Sequence, residues 1–122
     1  MINGLGGATI WSENIDNLLP FYRDVVGLRP GVATQDFVVF GDQTRPALAI
    51  GTHSEVRGRT AEPARHMVGL LTDDIQADTA RLKAAGVRFI EEPNDQGGGF
   101  WLATFADPDG NLIQLFQFGR GS

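Results

Sequence analysis

The hydrophobic pattern of the chain repeats itself. GATIWSENI at residues 7–15 and GLLTDDI with its preceding Met67-Val68, at residues 67–75, share one layout sixty positions apart. Each is a strand-like apolar run that leads to an Asx residue and an isoleucine, and each is followed by helix-period sequence. The first helix is predicted from about Asp16 to Val26, with Asp16 as cap and Pro20 in the first turn, where a missing N–H costs little. Its apolar stripe is Leu18, Phe21, Tyr22 and Val25, and Gly27 supplies a left-handed end. The second helix is predicted from Ile75 to Ala85, with Ala77, Leu82 and Ala85 inward, Arg81 and Lys83 near its C-terminus, and Gly86 closing it. Strands follow at Leu28–Val32, Phe37–Phe40 and Ala47–Ile50, the last entered through a Gly41-Asp42 turn. In the second half they fall at Val87–Ile90, Phe100–Phe105 and Asn111–Phe118. The grammar is β-α-β-β-β, twice.

Between the halves, His53–Arg65 is polar and reads as a solvated connection. Pro93 to Gly99, ending in three glycines, reads as a flexible loop. Asp107-Pro108-Asp109-Gly110 is a turn signature, because Pro presets φ, Asp side chains bond back to nearby amides and Gly accepts φ > 0. In the strand after it, Leu112, Gln114 and Phe116 share one face; Ile113 and Leu115 take the other, with Gln117 following them. Gln114 is thus one polar side chain among apolar neighbours.

Two segments, Phe21-Tyr22-Arg23-Asp24-Val25-Val26-Gly27-Leu28 and Asp107-Pro108-Asp109-Gly110-Asn111, resemble signatures of the vicinal oxygen chelate superfamily. That superfamily includes glyoxalase I, bleomycin resistance proteins, fosfomycin resistance proteins and extradiol dioxygenases, and the resemblance covers nearly the whole chain. It implies an α+β fold in which two βαβββ modules, 5–52 and 65–118 with linker 53–64, build an incomplete eight-stranded barrel or curved sheet within a single domain, 1–122. Modules paired within one chain or swapped between chains satisfy the same pattern.

Metal-dependent members hold a divalent ion with four side chains, usually His, Glu or Gln. The resemblance places those positions on Gly7, Ala49, Met67 and Gln114. Glycine and alanine have no donor, a thioether suits a hard cation poorly, and one amide oxygen cannot hold an ion. A register slip of one residue would turn His66 inward instead of Met67, which still leaves two ligands. His53 lies beyond the fourth strand and reads as a surface residue. No metal and no cofactor is therefore expected.

Composition narrows the rest. With 122 residues and 42% hydrophobic content, the chain can bury a core; its 16 glycines and 6 prolines suit short strands. A net charge of −5 argues against nucleic acid or an anionic membrane as partner. The absence of cysteine excludes disulfides and thiolate chemistry. The N-terminal residues carry no signal-peptide pattern and no apolar run spans a membrane, so a cytoplasmic location is expected. Ser12 and Ser54 read as surface serines without a histidine partner, and Glu13, Asp36, Asp42 and Glu55 as solvated carboxylates.

Period-2 alternation then gives a lining for a small-molecule cleft: Gly7, Thr9 and Trp11, Ala47 and Ala49, Met67, Gly69 and Leu71, and Leu112, Gln114 and Phe116. Ala8, Ile10, Leu48, Ile50, Val68, Leu70, Ile113 and Leu115 form the core beneath the helices. Trp101 fits either face of its strand; beside the glycine-rich loop it is a candidate for stacking on a flat ligand. The ligand-contact set is Thr9, Trp11, Ala49, Met67, Gly69, Trp101, Gln114 and Phe116. The first functional reading is a metal-free small-molecule-binding protein, acting by sequestration on an apolar or aromatic ligand that can be cationic, with antibiotic resistance as its setting. The resemblance to resistance proteins implies a homodimer. The alternatives are a metal-dependent lyase, isomerase or dioxygenase with an unusual ligand set, and a metal-independent enzyme acting on an aromatic or polyketide-like substrate.

Overall fold

The computed structural model describes residues 1, 3, 5–42 and 46–119. The chain divides into two units, Met1–Gly58 and Arg59–Ser122. In the first, β1 (Gly7–Ser12) is followed by a 3-10 turn (Ile15–Asn17), a π-helix (Phe21–Val26), β2 (Pro30–Ala33), β3 (Phe37–Phe40) and β4 (Ala47–Thr52). Its sheet has the order β1-β4-β3-β2, with β1 parallel to β4 and the other pairs antiparallel. The second unit repeats this topology with β5 (Val68–Leu71), α1 (Ile75–Ala84), β6 (Phe89–Asp95), β7 (Trp101–Ala106) and β8 (Leu112–Gln117). Its order is β5-β8-β7-β6, and β5 runs parallel to β8. The fold is α+β, built from two βαβββ modules whose sheets are open and mixed. Among the described residues no helix is long and apolar enough to cross a membrane.

The same local device starts the helical segment in each unit. Asn14 Oδ1 accepts the Asp16 N–H at 2.9 Å, and sixty residues later Asp74 Oδ1 accepts the Ala77 N–H at 3.0 Å. The hydroxyls of Ser12 and Thr72 accept the N–H of Asn14 and Asp74 at 3.2 and 3.0 Å. Such bonds satisfy amides that a helix start leaves without partners. The cap of the first helical segment is therefore Asn14 rather than the expected Asp16. Ser12 is fully buried rather than on the surface, and its hydroxyl also donates to the Asn14 carbonyl at 2.9 Å.

The first helix is broken where one continuous helix was expected. Pro20 has no N–H for the carbonyl of Asp16, so the turn at Ile15–Asn17 stops, and a second helical segment starts at Leu19 and Pro20. It closes widely: Gly27, at φ 92°, donates to Tyr22 O at 3.1 Å, as does Leu28 at 2.9 Å. Leu18 and Tyr22 are fully buried, Tyr22 6.4 Å from Phe40 between ring centroids, while Phe21 and Val25 are half-buried. In α1 the buried positions are Ile75, Thr79 and Leu82, and the expected inward residues Ala77 and Ala85 are exposed. The spacing i, i+4, i+7 makes a continuous stripe through Thr79, which a purely apolar pattern passes over.

Beneath the helical segments lie Val38, Phe40, Leu48 and Ile50 in the first unit and Ala103, Phe105, Ile113 and Leu115 in the second, all buried. Ala8, Ile10, Val68 and Leu70 share these faces but are half-buried, since β1 and β5 each stand at the edge of a four-stranded sheet. Several strand bounds shift from expectation. β2 begins two residues later, at Pro30, and β6 runs from Phe89 through Pro93 to Asp95. The loop expected at Pro93–Gly99 is thus confined to a short turn. Gly97, Gly98 and Gly99 all adopt positive φ, and the turn is tied by Gln96 N–H to Phe100 O at 2.7 Å and by Gly97 N–H to Asp95 Oδ1 at 2.8 Å. Only glycine enters three such conformations in succession without strain. The turn after Gly41-Asp42 runs into residues 43–45, which lie outside the described residues.

The turn between β7 and β8 forms as its sequence predicts. Asp107, 4% exposed, accepts the N–H groups of Asp109 and Asn111 at 2.9 Å each and the Asn111 side-chain amide at 2.8 Å. Gly110 N–H donates to Asp107 O at 2.9 Å, and β7 and β8 pair as a hairpin across it.

Candidate functional site

On each sheet, alternate side chains point away from the helical segment. In the second unit the pairings Gly69↔Gln114 and Thr104↔Gln114 place Gln114 between a glycine and a buried threonine. The next row along is Leu71, Phe116 and Leu102. Phe116 leans back across Gly69: a Cβ on that glycine would lie 2.2 Å from the ring. Phe100 meets Phe116 edge-on at 5.4 Å and stacks on Phe118 at 5.1 Å with 22° between planes. Leu71 and Phe118 are largely exposed. Gln114 is half-buried, and its side-chain amide makes no hydrogen bond among the described residues.

Met67 immediately precedes β5, two residues from Gly69 and so in phase with the Gln114 face, and it is 37% exposed. His66 is exposed and out of phase with that row. Trp101 alternates with the buried Ala103 and Phe105, on the helix side of β7, so the strand separates it from Gln114.

In the first unit, Thr9 pairs with Ala49, and the next row is Trp11, Gly51 and Phe37. The Trp11 ring lies across Gly51; a Cβ there would come within 2.6 Å of the indole. Phe37 flanks the indole at 5.7 Å, and His53 stands edge-on to it at 5.4 Å and 74°. His53, expected on the surface, is half-buried. The strand pairing continues one step past β4, with His53 N–H donating to Ser12 O at 3.0 Å. Extending β4 by alternation to residue 53 puts His53 in phase with Gly51 and Trp11, a signal the sequence carries once β4 is not stopped at Ile50. Phe37 joins its site face only through the cross-strand register, whereas Phe118 continues the alternation of Leu112, Gln114 and Phe116, and Phe100 that of Leu102 and Thr104.

The residues at the four chelate positions do not fit a divalent ion. Gly7 and Ala49 lie diagonally across β1 and β4, and Met67 and Gln114 bear the same relation across β5 and β8. Position 7 lacks room as well as a donor: a Cβ there would sit 2.7 Å from the Ala47 carbonyl oxygen, backbone that cannot swing aside. Ala49 and Met67 add no hard donor, which leaves one amide oxygen. Among the described residues, no three His, Asp or Glu side chains gather into a group that could hold a metal.

These features meet in the comparisons with known proteins. The model of the Glyoxalase/Bleomycin resistance protein/Dioxygenase superfamily matches residues 4–115, and the chain belongs to that superfamily. It is 31% identical over 119 residues to the uncharacterized protein YwbC of Bacillus subtilis (strain 168), covering 88% of this chain and 92% of that protein. It is also 31% identical over 114 residues to a probable lactoylglutathione lyase of Vibrio cholerae, covering 85% and 83%. Among solved structures, fosfomycin resistance protein FosX from Mesorhizobium loti superposes with a TM-score of 0.70 at 18% identity, covering 96% of this chain and 93% of that one. Lactoylglutathione lyase from Agrobacterium tumefaciens gives 0.71 at 21% identity, covering 96% and 95%. At such identities the structural likeness concerns the fold.

Proposed function

We propose that this chain is a metal-free small-molecule-binding protein of the glyoxalase/bleomycin-resistance type, taking up an apolar or aromatic ligand against the faces of its sheets that lie away from the helices. Gln114 carries this reading. It occupies a position where metal-dependent relatives place a ligand, the residues at the other three positions supply no hard donor, and among the described residues its amide has no partner beside the apolar row of Leu71, Phe116 and Leu102. Such a group orients a ligand by hydrogen bonding while aromatic and aliphatic surface supplies affinity. In this reading the protein sequesters its ligand as a homodimer in the cytoplasm, and resistance to a toxic compound is the corresponding role. Titration with bleomycin-like and polyaromatic compounds, followed by tryptophan fluorescence, tests it: saturable quenching is expected, and no response to the whole panel removes the reading.

The name of the Vibrio cholerae relative favours a second reading, a metal-dependent lyase of the same superfamily. Elemental analysis of protein purified without chelators separates the two. Stoichiometric Ni, Zn, Fe or Mn would establish the second reading and overturn the first.

A further inference from the structure

Trp11 is held in a way that leaves one ring face available. Its inner face rests on the β4 backbone at Gly51, Phe37 and His53 fix it from the sides, and it remains 42% exposed. A ring immobilised like this has already lost most of the freedom that stacking would otherwise cost it.

His53 adds direction. The Glu55 N–H donates to His53 Nδ1 at 3.1 Å, so Nδ1 is the acceptor and the proton of the neutral ring sits on Nε2. Among the described residues Nε2 has no partner. The site is thus an indole platform with a ring N–H donor of fixed tautomer at its edge.

We infer that Trp11 and His53 form a subsite for a planar aromatic ligand bearing a neutral oxygen acceptor, such as an aryl ketone or quinone-like carbonyl, with Trp11 stacking on the ring and His53 Nε2–H donating to the oxygen. The net charge of −5 disfavours a carboxylate in that role. This rests on the small-molecule-binding reading above and makes His53 its specificity-determining residue.

The matched probes are chromone, a flat bicycle with a carbonyl, and naphthalene, which has none. With isotope-labelled protein, chromone is expected to shift the NMR signals of the Trp11 indole and the His53 ring, and to bind about fivefold more tightly than naphthalene, the worth of one neutral hydrogen bond. His53→Phe is expected to abolish that preference while naphthalene affinity is retained. His53→Gln, which keeps a side-chain N–H donor, should restore part of it and controls for folding. A preference that survives in His53→Phe overturns the inference. So do shifts confined to Gln114 and Phe116, although that result leaves the small-molecule-binding reading standing. Absence of shifts with either probe also overturns it, and the broader reading is then judged by its own compound panel.

Discussion

Gln117, the last residue of β8, accepts the backbone N–H of Ile75 at 2.6 Å through its Oε1. Thr52, the last residue of β4, accepts the N–H of Ile15 at 2.8 Å through its hydroxyl. In both units, therefore, the end of the last strand latches the start of the helical segment, beside an isoleucine that is at most 3% exposed. The two latches use different residue types at equivalent places in the repeat. A polar side chain at a strand end is here a fastening between elements.

Replacing either latch residue by an apolar one of similar shape leaves a partly buried N–H without its partner. Thr52→Val and Gln117→Leu are each expected to destabilise the protein by about 1–2 kcal/mol. Urea unfolding checks this, and a change under about 0.3 kcal/mol would show that water replaces the acceptor at little cost.

Asp107 is expected to be among the least replaceable polar residues of the second unit. Its carboxylate accepts three hydrogen bonds inside a turn where both it and Asp109 are buried. Asp107→Ala should cost about 2–4 kcal/mol. Asp107→Asn should cost less, because its Oδ1 keeps both backbone bonds and the Asn111 amide can turn over to accept from the new Nδ2. Thermal unfolding of both variants decides; an Asn variant as damaging as Ala would mean that the turn depends on the carboxylate charge rather than on the number of bonds.

Thr79 presents the opposite case. It is 5% exposed on the inward stripe of α1, and among the described residues its hydroxyl oxygen has no partner. Thr79→Val removes that desolvated group at nearly constant volume and helix propensity, and is expected to stabilise by about 1 kcal/mol. An unchanged or lower midpoint in denaturant would indicate that the hydroxyl is satisfied in solution.

For Gln114, two substitutions separate its proposed role from metal chemistry. Gln114→Leu should alter stability by no more than about 0.5 kcal/mol yet weaken an oriented polar ligand about fivefold. Gln114→Glu restores a carboxylate at one chelate position but should confer no stoichiometric binding of Zn, Ni or Mn in calorimetry. Tight binding by that single variant would show that donors other than those at positions 7, 49 and 67 complete a site.

The repeat was legible because its signals are local. The strand run, the Asx residue and the isoleucine recur together, and Asp107 to Gly110 spells its own turn. Where prediction failed, the cause was long-range or a neglected single atom. Asn14 outcompeted Asp16 as cap because it sits two residues before the amide it serves, and Pro20 ended one helical turn for want of an N–H. The strand that passes through Pro93 extends beyond the expected bound because a proline signals a break, whereas an edge strand accommodates it. Alternation within a strand suffices to put Gln114 in line with Phe116, Gly69 with Leu71 and Thr9 with Trp11. The pairing of Trp11 with Gly51 and Phe37, and with it the position of His53, depends on a parallel register between strands 40 residues apart. No pattern within a single strand encodes that.

Gly7 finally bears on how this chain can change over time. Because the Ala47 carbonyl already occupies the space a first side-chain carbon would need, a donor at position 7 must wait until the β1–β4 pair has been respaced. Any route from this sequence to a chelate site with a donor at position 7 has to follow an order, with strand geometry first and that ligand afterwards. Position 7 therefore makes the present side-chain set easier to elaborate toward binding through other groups than toward a bound ion.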